Sequence, residues 1–300
     1  MTPARTAPEA TAAGSTIRTE RWDDGRLTVN AACADWLRGE GLTTCAAFDR
    51  LEPTEVARQV KRRVTARFEF PASDADGDAG GVRAFYIKRH GRDPLSEYVK
   101  PLFRLTKPVL GARPEWEAML RFHAVGLPTM TPVAFGETGP IGNRRSFVMT
   151  EALEDRERVD HWLNDRRGDR SPETTARRRA LVAEVARLAR SLHAAGMHHQ
   201  DLYLCHWLLP PAAGSGPGEP GVPSIIDLGR VRVHGTLPER WRVKDLAQLY
   251  YSADAVPRGD CLRFLRAYLG RPLGPADRSL VQRIRRKAAA IGRHTERNDL

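Results

Sequence analysis

Two aspartates and a lysine are the residues of this sequence whose types and spacing can do chemistry. Asp201 lies in the run LHAAGMHHQDLYLCHWLL, residues 192–209, on a loop between two histidines, His198 and His199, and the apolar run Trp207 to Leu209. Asp227 closes a second apolar run, Ser224 to Ile226, and leads into Leu228 and Gly229. Lys88 ends the stretch VRAFYIK, residues 82–88. Two carboxylates at the ends of short buried strands suit phosphoryl transfer, in which one orients the attacking hydroxyl and the other holds Mg²⁺ against the phosphates. A strand lysine at the mouth of a cleft grips those phosphates. Each residue also has a plainer reading, because Asp is a common turn former and an edge lysine sits in solvent. Taken together, the three favour phosphoryl transfer.

The elements around them follow from periodicity. Alternation places Val82, Ala84, Tyr86 and Lys88 on one face of a strand. A helix is predicted from Pro114 to just before Gly126, with Trp116, Met119, Leu120 and His123 at helical spacing. Glu115 borders that apolar face, whereas Glu117 lies four residues before Arg121, the spacing of a solvent ion pair. Glu115 is therefore the better candidate to turn inward and hold Lys88. A hairpin-like stretch, 130–136 with 145–149, runs into Thr150-Glu151-Ala152-Leu153, where we place a hinge. This gives a lead-in at 1–16 whose Thr/Ala/Pro content reads as disordered, a first lobe at 17–150 and a second at 151–300.

Within the first lobe, 22–30 reads as a hairpin around Asp24-Gly25 and 31–38 as a short helix. Pro53 suits the start of a helix through about Arg62, followed by a strand from Arg63 to Phe70. The segment 71–81 reads as a flexible connector, and prolines punctuate Tyr98 to Leu110. The second lobe is mainly helical. A long helix at 172–195 turns Leu181, Val185, Leu188 and Leu192 to the core and its arginines, 177–179, to solvent. A Pro/Gly loop spans 210–223, and a helix at 241–251 carries Asp245. Residues 276–293 form a basic amphipathic helix that either packs on its own domain or lies on an anionic bilayer.

Composition bounds the function classes. The 300 residues suffice for one large domain or two lobes, and no apolar run approaches the ~18 residues of a membrane span. The N-terminus lacks an apolar signal segment. Cysteines 33, 45, 205 and 261 form no CxxC pair, which favours a reducing cytosol with neither disulfide framework nor zinc site. A net charge of +11 calls for an anionic neighbour. No aromatic interleaving, helix-turn-helix or zinc-finger spacing points to nucleic acid.

The run HHQDLYLCHWLL resembles the catalytic loop of the lipopolysaccharide kinase family, and within it the core heptose(I) kinases. FYIKRHGR (85–92), KPVLGARPEWEAM (107–119), GLPTMTPVAFGE (126–137), SFVMTEAL (146–153), IIDLGR (225–230) and WRVKDLAQLYYS (241–252) resemble family segments in order and spacing. The resemblance covers roughly residues 48–275.

It implies an α+β, bilobal protein-kinase-like fold, with an antiparallel-sheet N-lobe, a mainly helical C-lobe carrying the catalytic loop at 198–209, and Mg-ATP in the cleft between them. Lys88 becomes the phosphate-binding lysine, Glu115 its helix partner, Asp201 the catalytic base and Asp227 the metal ligand. Glu151 and Leu153 mark where adenine meets hinge backbone, and Asp245 steadies the catalytic loop. The implied acceptor is a heptose of the lipopolysaccharide inner core, phosphorylated on the cytoplasmic side of the inner membrane, with peripheral association to its anionic surface and no nucleic acid partner.

The sequence departs from general kinase patterns at named places. No GxGxxG covers the phosphates; Gly77, Gly80 and Gly81 are scattered in an acidic stretch. Tyr86 stands where a small residue is usual two positions before the lysine. His206 replaces the asparagine that ligates a second metal, leaving it a metal candidate or a hydrogen-bonding residue, since imidazole is a poor ligand for Mg²⁺. Gln200 replaces the arginine that reads a phosphorylated activation loop, and Gly229 the family's histidine. Asp227 and Asp245 are only eighteen positions apart, too few for a peptide-binding activation segment, which argues for a non-protein acceptor. His198 and His199 read as loop supports and Cys205 as packing. Two other functions stay open at this point: a kinase for another small hydroxylated acceptor, such as an aminoglycoside or different glycan, and a catalytically weak nucleotide-binding stress or scaffold protein.

Overall fold

Alternating apolar residues build the first half of the chain. The computed structural model describes residues 16–60, 62–71, 81–92, 111–140, 142–211 and 221–298. Nearly all of the expected lead-in and of the connector, the whole proline-punctuated region, and most of the Pro/Gly loop lie outside them. Strands β1 (Thr19–Trp22) and β2 (Leu27–Asn30) form the expected hairpin. Helices α1 (Ala34–Gly39) and α2 (Cys45–Arg50) follow. Next come β3 (Glu55–Val60), β4 (Arg63–Pro71), β5 (Val82–His90), helix α3 (Arg113–Ala124), β6 (Pro132–Thr138) and β7 (Arg145–Glu151). The seven strands make one antiparallel sheet in the order β1-β2-β6-β7-β5-β4-β3.

The helix expected from Pro53 is instead the edge strand β3. Its residues are all exposed, so no apolar stripe at either period marks it, and its Glu, Ala, Arg and Gln suit a helix. Pairing with β4, from Val60↔Arg63 to Glu55↔Arg67, supplies the backbone partners that decide its conformation.

Each sheet face has its own cover. Phe85 and Ile87 of β5 are fully buried among Leu27, Phe48, Phe68 and Met149, and Trp36 of α1 stacks on Phe85 with ring centroids 4.6 Å apart. Burial of each such side chain contributes roughly 1.5–3 kcal/mol. On the opposite face lies α3, whose Trp116 stacks on Phe135 at 6.1 Å. The two ends of α3 are fastened by the Ala112 amide, which donates to Ser146 Oγ at 2.9 Å, and by His123 Nε2 on the Met130 carbonyl at 3.1 Å.

The second half is helical. A short pair, β8 (Glu157–Arg158) and α4 (Val159–Asp165), precedes the long α5 (Pro172–Ala194). Ser171 caps α5 by accepting from the Thr174 amide, and Pro172 takes the first position, where a missing N–H costs nothing. Then come β9 (Met197–His198), β10 (Trp207–Leu209), β11 (Ser224–Ile225), β12 (Arg232–Val233), α6 (Glu239–Tyr251), α7 (Arg258–Leu269) and α8 (Arg278–Asn298). Strands β10 and β11 pair antiparallel, so both carboxylate-bearing loops leave one small hairpin. The Ile225 amide donates to the Pro128 carbonyl at 2.9 Å and Thr129 Oγ1 donates to the Ile225 carbonyl at 2.6 Å, which ties that hairpin to the sheet half.

Two expectations for basic helices meet the packing. Of the arginine run 177–179 in α5 only Arg179 is exposed: Arg178 Nε pairs with the buried Asp260 at 2.9 Å, and Arg177 lies over the Trp162 ring at 5.3 Å. The solvated face expected for this run is thus largely covered by α7 and α4, because a buried carboxylate needs a charged partner. Helix α8 packs on its own domain. Leu280, Ile284 and Ala288 are buried, and Arg283 forms a two-pronged ion pair with Glu239 of α6 at 2.6 Å. Among the described residues no helix is long and apolar enough to cross a membrane.

Candidate active site

Lys88 lies on β5, which is paired on one side at Lys88↔Thr65 and on the other at Lys88↔Val148. It is therefore interior to the sheet and not an edge lysine. The pleat that buries Phe85 and Ile87 turns Lys88 toward α3, whose first turn carries Glu115. Lys88 Nζ stands 2.5 Å from Glu115 Oε1 and 3.7 Å from Asp227 Oδ1. Burial opposes the ammonium charge, but the two carboxylates outweigh it, so the pKa of Lys88 rises above the ordinary lysine value.

Asp227 holds a left-handed backbone, φ 60° and ψ 55°, at the turn out of β11. Asp tolerates this region better than most residues, and such strain gathers at sites where a side chain must be aimed. Burial would raise its pKa; Lys88, His206 and His199 together hold it below the usual carboxylate range. Gln200, immediately before Asp201, is left-handed as well, at φ 73°.

The loop that presents Asp201 is fixed by its backbone. Asp245 of α6, fully buried, accepts from the His199 amide at 2.7 Å, the Gln200 amide at 3.0 Å and His193 Nε2 at 3.3 Å. Burial pushes against its charge, and these donors keep its pKa lowered. His193 in turn accepts from the Tyr268 hydroxyl at 2.7 Å. The Gln248 amide, one turn along α6, grips the loop on both sides of Asp201: it accepts from the Leu202 amide at 3.0 Å and donates to the Gln200 carbonyl at 2.5 Å. The Leu204 amide donates to Ser252 Oγ at 2.9 Å.

The histidines serve the same end. His199 donates from Nε2 to the Ile226 carbonyl at 3.0 Å and accepts the Asp201 amide on Nδ1 at 3.3 Å, and its burial lowers its pKa. His198 stacks on Trp241 at 4.6 Å and is held neutral, with burial pulling its pKa down to about 4. His206 links the two acidic loops, donating from Nδ1 to the Asp201 carbonyl at 2.7 Å while Nε2 lies 3.8 Å from Asp227 Oδ2. Burial works against its charge, yet Cys205, the Asp201 carbonyl and Asp227 raise its pKa to about 9.

Arg230 was not singled out by the sequence. Its Nη1 donates to both carboxylate oxygens of Asp201, each at 2.9 Å. Gln248, His193 and Ser252 were missed as well. For Gln248 a signal existed: it lies three residues after Asp245 on a helix face that is otherwise apolar and buried. For Arg230 the only signal was its place three residues beyond Asp227.

At the hinge the Glu151 amide donates to the Thr131 carbonyl at 3.0 Å and the Ala152 amide to the Ala84 carbonyl at 2.9 Å. The Glu151 side chain pairs with Arg83 at 3.0 Å. Among the described residues, the N–H of Leu153 has no hydrogen-bond partner. A cavity of about 1030 Å³ lies elsewhere, among α5, α6, α7 and α8, and none of Lys88, Asp201 or Asp227 lines it.

Comparisons with known proteins follow the geometry. Residues 50–268 match the sequence profile of the Lipopolysaccharide kinase (Kdo/WaaP) family. The chain is 39% identical over 231 residues to the lipopolysaccharide core heptose(I) kinase WaaP of Pseudomonas aeruginosa, covering 75% of this chain and 81% of that one. It is 36% identical over 253 residues to the protein of the same name from Escherichia coli, covering 82% and 90%. A solved structure, WaaP in complex with acyl carrier protein, matches 88% of this chain and 98% of its own at 33% identity, with a TM-score of 0.68. The fold is accordingly α+β and bilobal in the protein-kinase manner. A profile match across most of the chain, relatives of this identity and length, and a shared fold agree: the chain belongs to the lipopolysaccharide kinase (Kdo/WaaP) family.

Proposed function

We propose that this protein transfers the γ-phosphate of Mg-ATP to a hydroxyl of a heptose in the lipopolysaccharide inner core. The observation that carries the proposal is the convergence of Lys88 with Glu115 and Asp227, with His206 spanning from Asp227 to the loop of Asp201. In this reading, side chains from β5, α3 and both acidic loops border one nucleotide cleft between a sheet lobe, through Thr150, and a helical lobe, from Glu151.

The roles follow from charge and position. The Lys88 ammonium neutralises phosphate oxygens, and Glu115 aims it. Asp201 orients the sugar hydroxyl for in-line attack and accepts its proton late in the transition state. The Leu153 backbone, open at the hinge, receives adenine, with Glu151 beside it. Asp227 suits Mg²⁺, a hard cation that is usually held by one or two carboxylates plus substrate phosphates. Among the described residues no group of three or more His, Cys, Asp or Glu side chains could hold a metal. Held there, Mg²⁺ would supply positive charge that offsets the charge of the phosphates. His206 braces the Asp201 carbonyl in place of ligating a second metal.

The protein would act at the cytoplasmic face of the inner membrane, where its net charge of +11 suits an anionic glycolipid surface. Acyl carrier protein is proposed as a partner through the likeness to the solved relative. Co-elution of the two purified proteins tests this.

Purified protein with Mg-ATP and a heptose-bearing core acceptor is expected to transfer phosphate, and Asp201→Ala to abolish transfer while the melting profile stays cooperative. Equal activity in wild type and Asp201→Ala would remove the proposed base. Equal inertness with retained ATP binding would point to a nucleotide-binding scaffold.

A further inference from the structure

Arg230 pairs with Asp201, and Lys244 feels the charge of both, so the two cations share one available carboxylate. The Arg230 guanidinium is half exposed, and among the described residues only its Nη1 is engaged, on Asp201. Its own carbonyl accepts from Gln200 Nε2 at 2.9 Å, which fixes the root of the side chain. Lys244 precedes Asp245 on α6. Its ammonium lies 5.7 Å from the centre of the Trp241 ring, and among the described residues no carboxylate reaches it within ion-pair distance. Its electrostatic neighbours are Arg230 and Lys287, of like charge, against Asp201 and Asp245.

Those two carboxylates do not complete the charge balance. Asp245 is saturated by three donors inside the fold. Asp201 carries the single charge that Arg230 already shares. Burial and the nearby Arg230 lower the pKa of Lys244, as expected for a cation lacking a counter-charge of its own. A carboxylate or phosphate between the two cations would relieve this repulsion and receive charge-assisted hydrogen bonds from both.

We propose that Arg230 and Lys244 form an anion subsite for the acceptor, and that a carboxylate or phosphate of the acceptor seated there draws Arg230 off Asp201. The inference rests on the phosphoryl-transfer reading of Asp201. In the acceptor-free protein the guanidinium occupies both oxygens that the sugar hydroxyl needs. Seating the acceptor's negative group moves that cation to the ligand and exposes Asp201 when a hydroxyl is in place. Arg230 and Lys244 are then positioning residues that select a charged acceptor over a neutral sugar.

The test compares three acceptors: the native core fragment, the same fragment with its carboxylates reduced to alcohols, and the fragment after dephosphorylation. KM and kcat are measured for wild type, Arg230→Gln and Lys244→Gln. Each substitution is expected to raise KM for the native acceptor roughly tenfold or more, the scale of one lost charge-assisted hydrogen bond. Removing the group that the subsite reads should raise wild-type KM by a similar factor and leave the variants less than about twofold worse than wild type on that acceptor. Whether reduction or dephosphorylation produces this convergence identifies carboxylate or phosphate as the ligand. Equal losses on all three acceptors, or an unchanged KM, would overturn the subsite while leaving the kinase reading in place. If wild type transfers to none of them, calorimetric binding of the native fragment decides: weakening by Lys244→Gln keeps the subsite and discards the kinase reading, and equal binding discards both.

Discussion

Lys88 and Glu115 meet at 2.5 Å between the interior strand β5 and the first turn of α3, and Glu115 is almost wholly buried. The pair is a registry device, because an α3 slid or rotated by one residue would bury the carboxylate without its cation.

Replacing Lys88 with Met leaves Glu115 charged, buried and unpaired. The expected outcome is a loss of about 3 kcal/mol in denaturant unfolding and a fall in phosphate transfer of about a hundredfold or more. Adding Glu115→Gln to Lys88→Met is expected to recover much of the stability and none of the transfer. A double variant as unstable as the single one would show that the pair does not hold α3.

Asp245→Asn keeps the shape of the side chain while removing its charge and turning a donor toward backbone N–H groups. Three donors converge on that carboxylate. Stability is expected to fall by about 2 kcal/mol, and kcat to fall more than the KM for ATP rises, since the displaced loop carries Asp201 and not the nucleotide contacts. Steady-state kinetics beside chemical denaturation measure both. A KM effect alone would contradict the assignment.

His206 titrates at about 9, against an ordinary value of 6.5. For a base raised on folding, the stabilisation is fully present below pH 6.5 and is lost as pH rises through about 9. Imidazole NMR is expected to show a midpoint above 8, roughly two units over the free side chain. The stability of wild type should approach that of His206→Asn as the pH is raised through this window. A midpoint at or below the ordinary value would mean that the bridge between the two acidic loops carries no charge.

Two glycines near the site should respond differently to alanine. Gly196 has φ +71°, and a Cβ there would lie 2.3 Å from the His234 carbonyl oxygen. Gly196→Ala is expected to cost about 2 kcal/mol or more through strain and collision. Gly229 has no positive φ, and its added Cβ would meet only Glu115 Oε2 at 3.6 Å. Gly229→Ala should change stability by less than about 0.5 kcal/mol. Thermal melts of the two variants give the comparison.

Much of the site was legible because its parts are local. Period-two alternation set the face of Lys88, helical spacing chose Glu115 over Glu117, and the apolar runs before Asp227 and after Asp201 announced their strands. Family resemblance supplied roles for residues that spacing alone left open. The residues that escaped are those whose meaning lies in a distant partner. Arg230 finds Asp201 across 29 positions, Gln248 finds Leu202 across 46, and Arg178 finds Asp260 across 82.

The amino-acid order by itself determined which segments could be strands or helices, which faces they would bury and which charged side chains would stand at their ends. Those properties follow from the backbone repeat and the apolar pattern. The tertiary structure alone decided that β3 is a strand, that Arg178 leaves solvent for a buried carboxylate, and that the Asp201 carboxylate is held by the Arg230 guanidinium. In each case the competing local states differ by a kcal/mol or so, about the size of one propensity difference or exposed ion pair. A ladder partner or a buried counter-charge from elsewhere in the chain tips the balance.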